Sequence, residues 1–191
     1  DRIGAKNNAY TSGEMTCFHA TVLPEELAPV NDILADMMRP ALRDADFNTE
    51  KGVILEEIAM YEDNPFWVLY ERTMEVHCGA PPHSHSSGAG AEPLIDGMHP
   101  LGHRVLGTAR SITDLTSEQM RSYFESRYSP DNTVVSLAGK VDFDKAAREI
   151  EQHCGHWKRT GARREQPPPP AREARIELHD KKVNRGYCLM L

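Results

Sequence analysis

Two glutamates, Glu50 and Glu57, lie seven residues apart in the segment EKGVILEEIAMYEDNP (50–65), whose apolar spacing predicts a helix. At about 100° per residue, both carboxylates fall within the apolar stripe of that helix. The stripe is formed by Val53, Ile54, Ile58 and Met60. The opposite, solvated face carries Lys51, Glu56, Glu62 and Asp63.

A carboxylate on an apolar face needs a reason, because burying an ionised carboxylate is very costly unless it is paired or binds a metal. In one interpretation the helix is partly exposed, or arginines from elsewhere pair with both acids. In the other, one or both glutamates face a metal. A helix-borne Glu that joins two His from another helix is a common catalytic zinc arrangement. The helix alone leaves both interpretations open.

The composition limits the classes of protein that fit. The chain has 191 residues, 39% hydrophobic and 27% charged, which is typical of a globular chain of one domain or one domain plus part of another. A net charge of −7 argues against a nucleic-acid binder. No apolar run has the length of a membrane span. The four cysteines are scattered, so we expect reduced thiols and favour an intracellular protein (bacterial cytoplasm or organelle matrix), with the periplasm as the alternative.

The predicted elements alternate between strands and helices. After a turn-rich opening we expect a strand over 15–23, a helix from Pro24 to Pro40, a connection over 44–50, the glutamate helix, and a helix after Pro65. Residues 78–98 predict a long flexible loop, in which His83 and His85 are expected to be solvated rather than metal-bound. Further on we expect a capping box at 116–119, a turn at 129–132, a buried strand over 133–139 and a helix capped by Asp142.

These elements predict an α/β or α+β domain over residues 1–161, a proline-rich linker over 162–174, and the first strands of a second domain over 175–191. No G-x-G-x-x-G, phosphate loop or G-x-S-x-G motif is present.

Five segments in order resemble the pitrilysin/insulinase-type zinc metallopeptidases, the H-x-x-E-H enzymes that include the mitochondrial processing peptidases and bacterial homologues. The segments are NNAYTSGEMTCFHATVLPEEL, FNTEKGVILEEIAMYEDNP, HPLGHRVLGT, SEQMRSYFESRYSPDNTVVSLAG and KVDFD. The resemblance covers nearly the whole chain. It implies a two-layer α/β fold, with helices packed on a mostly antiparallel sheet.

The resemblance also implies roles for four residues. Glu57 matches the third Zn²⁺ ligand, and Glu50 matches a carboxylate that supports the zinc site from behind its ligands. Asn8 and Ala9 match an edge strand that holds the substrate backbone by strand addition. For Asn8 the alternative is a local Asx turn.

The chain has nine histidines, but none of them belongs to an H-x-x-E-H motif, which the zinc site of this family requires. The resemblance places that motif, with two ligands and the general base, roughly twenty residues before Asp1. We therefore expect both ends to be cuts through a longer protein, and the chain alone to be inactive.

The resemblance implies that the intact protein is a zinc endopeptidase acting on peptides or partly unfolded proteins. It also implies a second homologous half, either fused or supplied as a subunit of a homo- or hetero-oligomer. The alternative is a non-catalytic homologue that serves as a scaffold or substrate-binding subunit.

Overall fold

The computed structural model describes residues 3–79, 99–163, 168 and 186–189. The described chain divides into two compact units. The first comprises residues 1–11, 16–43 and 116–165, and the second comprises 12–15, 44–115 and 166–191. Much of the predicted loop 78–98 (including His83 and His85), the linker 162–174 and the segment 175–191 lies outside the described residues.

The first unit contains an antiparallel hairpin of β1 (Lys6–Thr11) and β2 (Thr16–Thr21). A 3₁₀ turn, Pro24–Glu26, leads into α1 (Leu27–Met37). The unit is completed by α5 (Ser117–Arg127), a second 3₁₀ turn (Pro130–Asn132) and α6 (Phe143–Cys154). The helix predicted to begin at Pro24 and end before Pro40 is confirmed. The prediction of a turn-rich opening is wrong for residues 6–11, which form a strand that pairs with β2.

Local side-chain caps determine where two of these helices begin. Thr116 accepts a hydrogen bond from the backbone N–H of Gln119 (3.2 Å), and the Gln119 side chain accepts one from Thr116 N (2.9 Å), so the predicted capping box is confirmed. The Asp142 side chain accepts a hydrogen bond from Lys145 N (2.9 Å) and begins α6 as predicted.

A small core and a cation–π contact hold the first unit together. Val30 and Asn31 of α1 and Ala146 of α6 are buried, and α1 packs against α6. The Arg39 guanidinium lies 3.9 Å from the centre of the Trp157 ring and donates to the Tyr128 carbonyl (3.0 Å).

The prediction of a buried strand over 133–139 is wrong. No strand is formed there, and Val134 is 92% exposed. The apolar run has the composition of a buried strand, but burial requires a neighbouring strand or helix that covers it, and the described residues do not supply one.

The second unit contains α2 (Asp44–Glu62), α3 (Pro65–His77), a 3₁₀ turn (Pro100–Gly102) and α4 (Ala109–Asp114). Its core is formed by Phe47, Ile58, Val76 and Cys78. The segment 44–50, predicted as a connection, instead forms the first two turns of α2, where Asp44 and Asp46 oppose the positive end of the helix dipole.

The α/β class with an antiparallel sheet is confirmed, with only this two-stranded sheet among the described residues. None of the described helices is long and apolar enough to cross a bilayer.

Candidate functional site

The helix that carries the two glutamates buries a different stripe from the one predicted. Phe47 and Ile58 are its buried residues, and Ile54 between them is half-buried. Val53 and Met60, predicted to lie in the stripe, are 51% and 63% exposed. The buried face is therefore rotated away from the predicted one, and the glutamates lie beside it rather than at its centre.

Glu57 is half-buried, whereas Glu50 is exposed. Neither carboxylate has an arginine or any other hydrogen-bonding or ion-pairing partner among the described residues. Pairing with arginines therefore has no support in the described chain. For Glu50, the other part of that interpretation holds, because this side of the helix is exposed. A half-buried carboxylate without a partner is chemically suited to bind a cation.

Lys51, predicted to lie on the solvated face, instead fastens α2 to the end of α4. Its half-buried ammonium donates hydrogen bonds to the carbonyls of Thr113 (2.7 Å) and Leu115 (2.9 Å). Helix-end carbonyls have no intrahelical donor and favour a cation. The ammonium also lies 5.5 Å from the centre of the Phe47 ring. Lys51 therefore ties α2 to the end of α4 by two hydrogen bonds, and Phe47, on the same helix, helps to hold the ammonium in place.

A cluster of ion pairs lies near the C-terminal end of α2. Arg104 Nε is 2.8 Å from a Glu75 carboxylate oxygen and 3.4 Å from one of Glu71, and Arg72 pairs with Glu75 at 2.9 Å. A cavity of about 10 Å³ lies where Arg104 and Glu71 approach Ile58 of α2. The cluster therefore connects α2, α3 and the segment that follows residue 99.

Burial and charge act on this cluster in opposite directions. Burial would lower the pKa of the Arg104 guanidinium, but the hydrogen bond and charge of Glu75, with Glu71, outweigh it and raise that pKa. Burial raises the pKa of Glu71, because the Arg104 charge offsets only part of its desolvation. Sequence reasoning missed this cluster, whose members are 29 positions apart along the chain (Glu75 and Arg104).

The predicted substrate strand is β1, whose outer edge is not covered by any other strand of the described residues. The backbone N–H of Ser12 donates to the Met15 carbonyl at the turn (2.8 Å). Along an antiparallel hairpin, hydrogen-bonded residue pairs alternate with pairs that are not hydrogen-bonded. The backbone of Asn8 therefore faces β2, and the N–H and C=O of Ala9 face the edge. The Asn8 side chain accepts a hydrogen bond from the Ala9 N–H (2.8 Å), a local bond to the next residue rather than the bond two residues on that defines an Asx turn.

Two of the described histidines have structural contacts of their own. His99 accepts a hydrogen bond from Leu101 N (3.2 Å) and caps the 3₁₀ turn Pro100–Gly102. His153, in the last turn of α6, lies 3.3 Å from Asp32. No three His, Cys, Asp or Glu side chains come together as a metal-binding group within the described part of the chain. Glu57 therefore fits a zinc site as one ligand of a set.

Two family models match this chain. The model described as Insulinase (Peptidase family M16) matches residues 1–80, and that described as Peptidase M16 inactive domain matches 114–190. The chain belongs to the M16 insulinase-type family of peptidases.

Similar proteins include uncharacterized zinc proteases of Streptomyces coelicolor and Bacillus subtilis. Each is 31% identical, over 100% and 97% of this chain respectively. The chain spans 39% of the length of both relatives.

Solved structures with the same fold include an M16-like peptidase from Alicyclobacillus acidocaldarius, with a TM-score of 0.65 and 26% identity over 89% of this chain and 34% of that one. A protease from Helicobacter pylori has a TM-score of 0.68 and 22% identity, over 89% of this chain and 37% of that one. The resemblance to the pitrilysin/insulinase-type family is confirmed. The placement of Glu50, Glu57, Asn8 and Ala9 in a site stays a prediction.

Proposed function

We propose that the protein to which this chain belongs is a zinc-dependent endopeptidase that cleaves peptides or partly unfolded proteins. The observation that carries the proposal is the half-buried Glu57 carboxylate, which has no partner among the described residues of an M16-family chain. All four proposed site residues lie in the part that matches the insulinase description, residues 1–80.

In this proposal Glu57 supplies one carboxylate ligand, and histidines from an H-x-x-E-H segment supply the others. Bound zinc would polarise the scissile carbonyl and lower the pKa of a bound water. At 1.5 Å of rise per residue, Glu50 and Glu57 are about 10 Å apart along the helix. Glu50 therefore supports the site by orienting another ligand rather than Glu57 itself.

The substrate is held in extended form in this proposal. The Ala9 N–H and C=O, on the edge of β1 that faces away from β2, pair with the peptide backbone, which gives affinity with little dependence on side chains. The Asn8 amide, which now covers the Ala9 N–H, must move aside when a peptide carbonyl takes that position. A second homologous half, fused or separate, would complete the substrate chamber.

Metal content and peptidase rate of the full-length protein test the assignment. We expect Glu57→Gln to lose zinc and activity with its fold intact, because an amide is a poor zinc ligand. Glu56→Gln is the matched control, since Glu56 is exposed and should be nearly silent. We expect Glu50→Gln to keep most of its zinc at saturating metal and to lose about ten- to a hundredfold in activity. Wild-type zinc content in Glu57→Gln would refute the proposed ligand.

The alternative function is a non-catalytic scaffold or substrate-binding subunit. The coding sequence upstream of Asp1 discriminates between the two. An intact H-x-x-E-H there supports the peptidase, and a degenerate version supports the scaffold.

A further inference from the structure

We infer that Lys51 is a positioning residue that fixes the rotation of α2 about its own axis, and thereby the direction in which the Glu57 carboxylate points. The inference rests on the proposed function, which makes Glu57 a zinc ligand. It starts from an unexpected contact: a lysine on the face predicted to be solvated donates to two carbonyls at the end of α4.

The contact is suited to this role because it acts on both the position and the rotation of α2. Two hydrogen bonds from one ammonium to the carbonyls of Thr113 and Leu115 restrain Lys51 from two directions. Hydrogen bonds from a charged donor are about twice as strong as neutral ones. The Phe47 ring, one turn earlier on the same face, adds a cation–π contact at 5.5 Å.

A small rotation of the helix would move the carboxylate far enough to matter. Lys51 and Glu57 are six residues apart, so their side chains leave the helix about 120° apart. A side-chain tip lies about 6 Å from the helix axis, and a 10° rotation therefore displaces it by about 1 Å. Zinc–carboxylate distances are held within about 0.2 Å, so such a displacement weakens the ligand.

The other end of α2 is restrained independently. Ile58, next to Glu57, is 4% exposed and lines the small cavity beside Arg104 and Glu71. Lys51 and Ile58, seven residues apart, lie on one side of the helix, two turns from each other. With both ends restrained on one side, Glu57 is presented on the adjoining side. Removing the Lys51 contact should weaken the restraint on α2 rotation and leave only the packing of Phe47 and Ile58.

The test uses the full-length protein and three variants. Lys51→Met keeps much of the apolar stem and removes the charge and donors. Lys51→Arg keeps a donor that can reach the same carbonyls. Asp142→Ala removes the N-cap of α6 in the other unit, and so lowers stability without altering α2 or the residues that bind Lys51. For each variant, zinc affinity is measured by chelator competition well below the thermal midpoint, and Co²⁺ absorption reports the geometry of the ligands.

We expect Lys51→Met to weaken zinc binding about tenfold and to change the Co²⁺ spectrum, as loss of a residue that orients a ligand does. Lys51→Arg should restore most of the affinity, and Asp142→Ala should bind zinc like wild type despite its lower midpoint. Wild-type zinc affinity in Lys51→Met, with only a lower midpoint, would overturn the inference and leave the proposed function standing. Wild-type zinc content in Glu57→Gln would overturn both.

Discussion

Replacing Arg104 by methionine should strongly destabilise the second unit. The Arg104, Glu71 and Glu75 side chains are 15%, 24% and 14% exposed. The variant therefore takes the Arg104 cation from two largely buried carboxylates, of which Glu75 keeps its pair with Arg72. Breaking a buried ion pair by removing one partner costs about 3–5 kcal/mol. We take about 3 kcal/mol, because Arg72 still pairs with Glu75 at 2.9 Å.

The loss should be visible in both global and local unfolding. For a chain of this size, about 3 kcal/mol lowers the thermal midpoint by roughly 6–12 °C. Hydrogen exchange should accelerate in α3 and α2 and stay unchanged in α5 and α6, which belong to the other unit.

The matched control is Arg110→Met. Arg110 forms an exposed pair with Asp114 (3.6 Å, side chains 65% and 69% exposed), whose removal should cost under about 1 kcal/mol. A midpoint for Arg104→Met within 2 °C of the Arg110→Met value would refute our account of the cluster as a buried, structural one.

Two further variants test other parts of the structure. Glu71→Gln should raise the thermal midpoint at pH 7 and have little effect at pH 4. The pKa of Glu71 is raised in the folded state, so its contribution to stability is present at low pH and lost as pH rises through the folded-state pKa. The same change in midpoint at both pH values would contradict this account. Ala9→Pro removes the N–H of β1 that faces away from β2, so KM for peptides should rise about three- to tenfold with the hairpin intact. Ala9→Ser, the control, should keep the wild-type KM. Equal KM values for the two variants would argue against strand addition at β1.

Local features of this protein could be predicted because their causes lie within a few residues. The Thr116 capping box and the Asp142 cap use side chains three residues from the N–H groups they bind. The end of α1 before Pro40 follows from the proline itself. The family could be predicted too, since its segments follow one another in order along the chain.

Only the tertiary structure decided which face of α2 is buried. An apolar pattern identifies a helix, but the packed face depends on where α3 and α4 lie, and this left Val53 and Met60 exposed. The same neighbours drew Lys51 inward, because the end of α4 offers carbonyls that need a donor. Val134 shows the converse, since an apolar run is buried only if a partner covers it. The sequence by itself determined the residue types and their spacing along α2, whereas long-range contacts decided the directions in which those residues point.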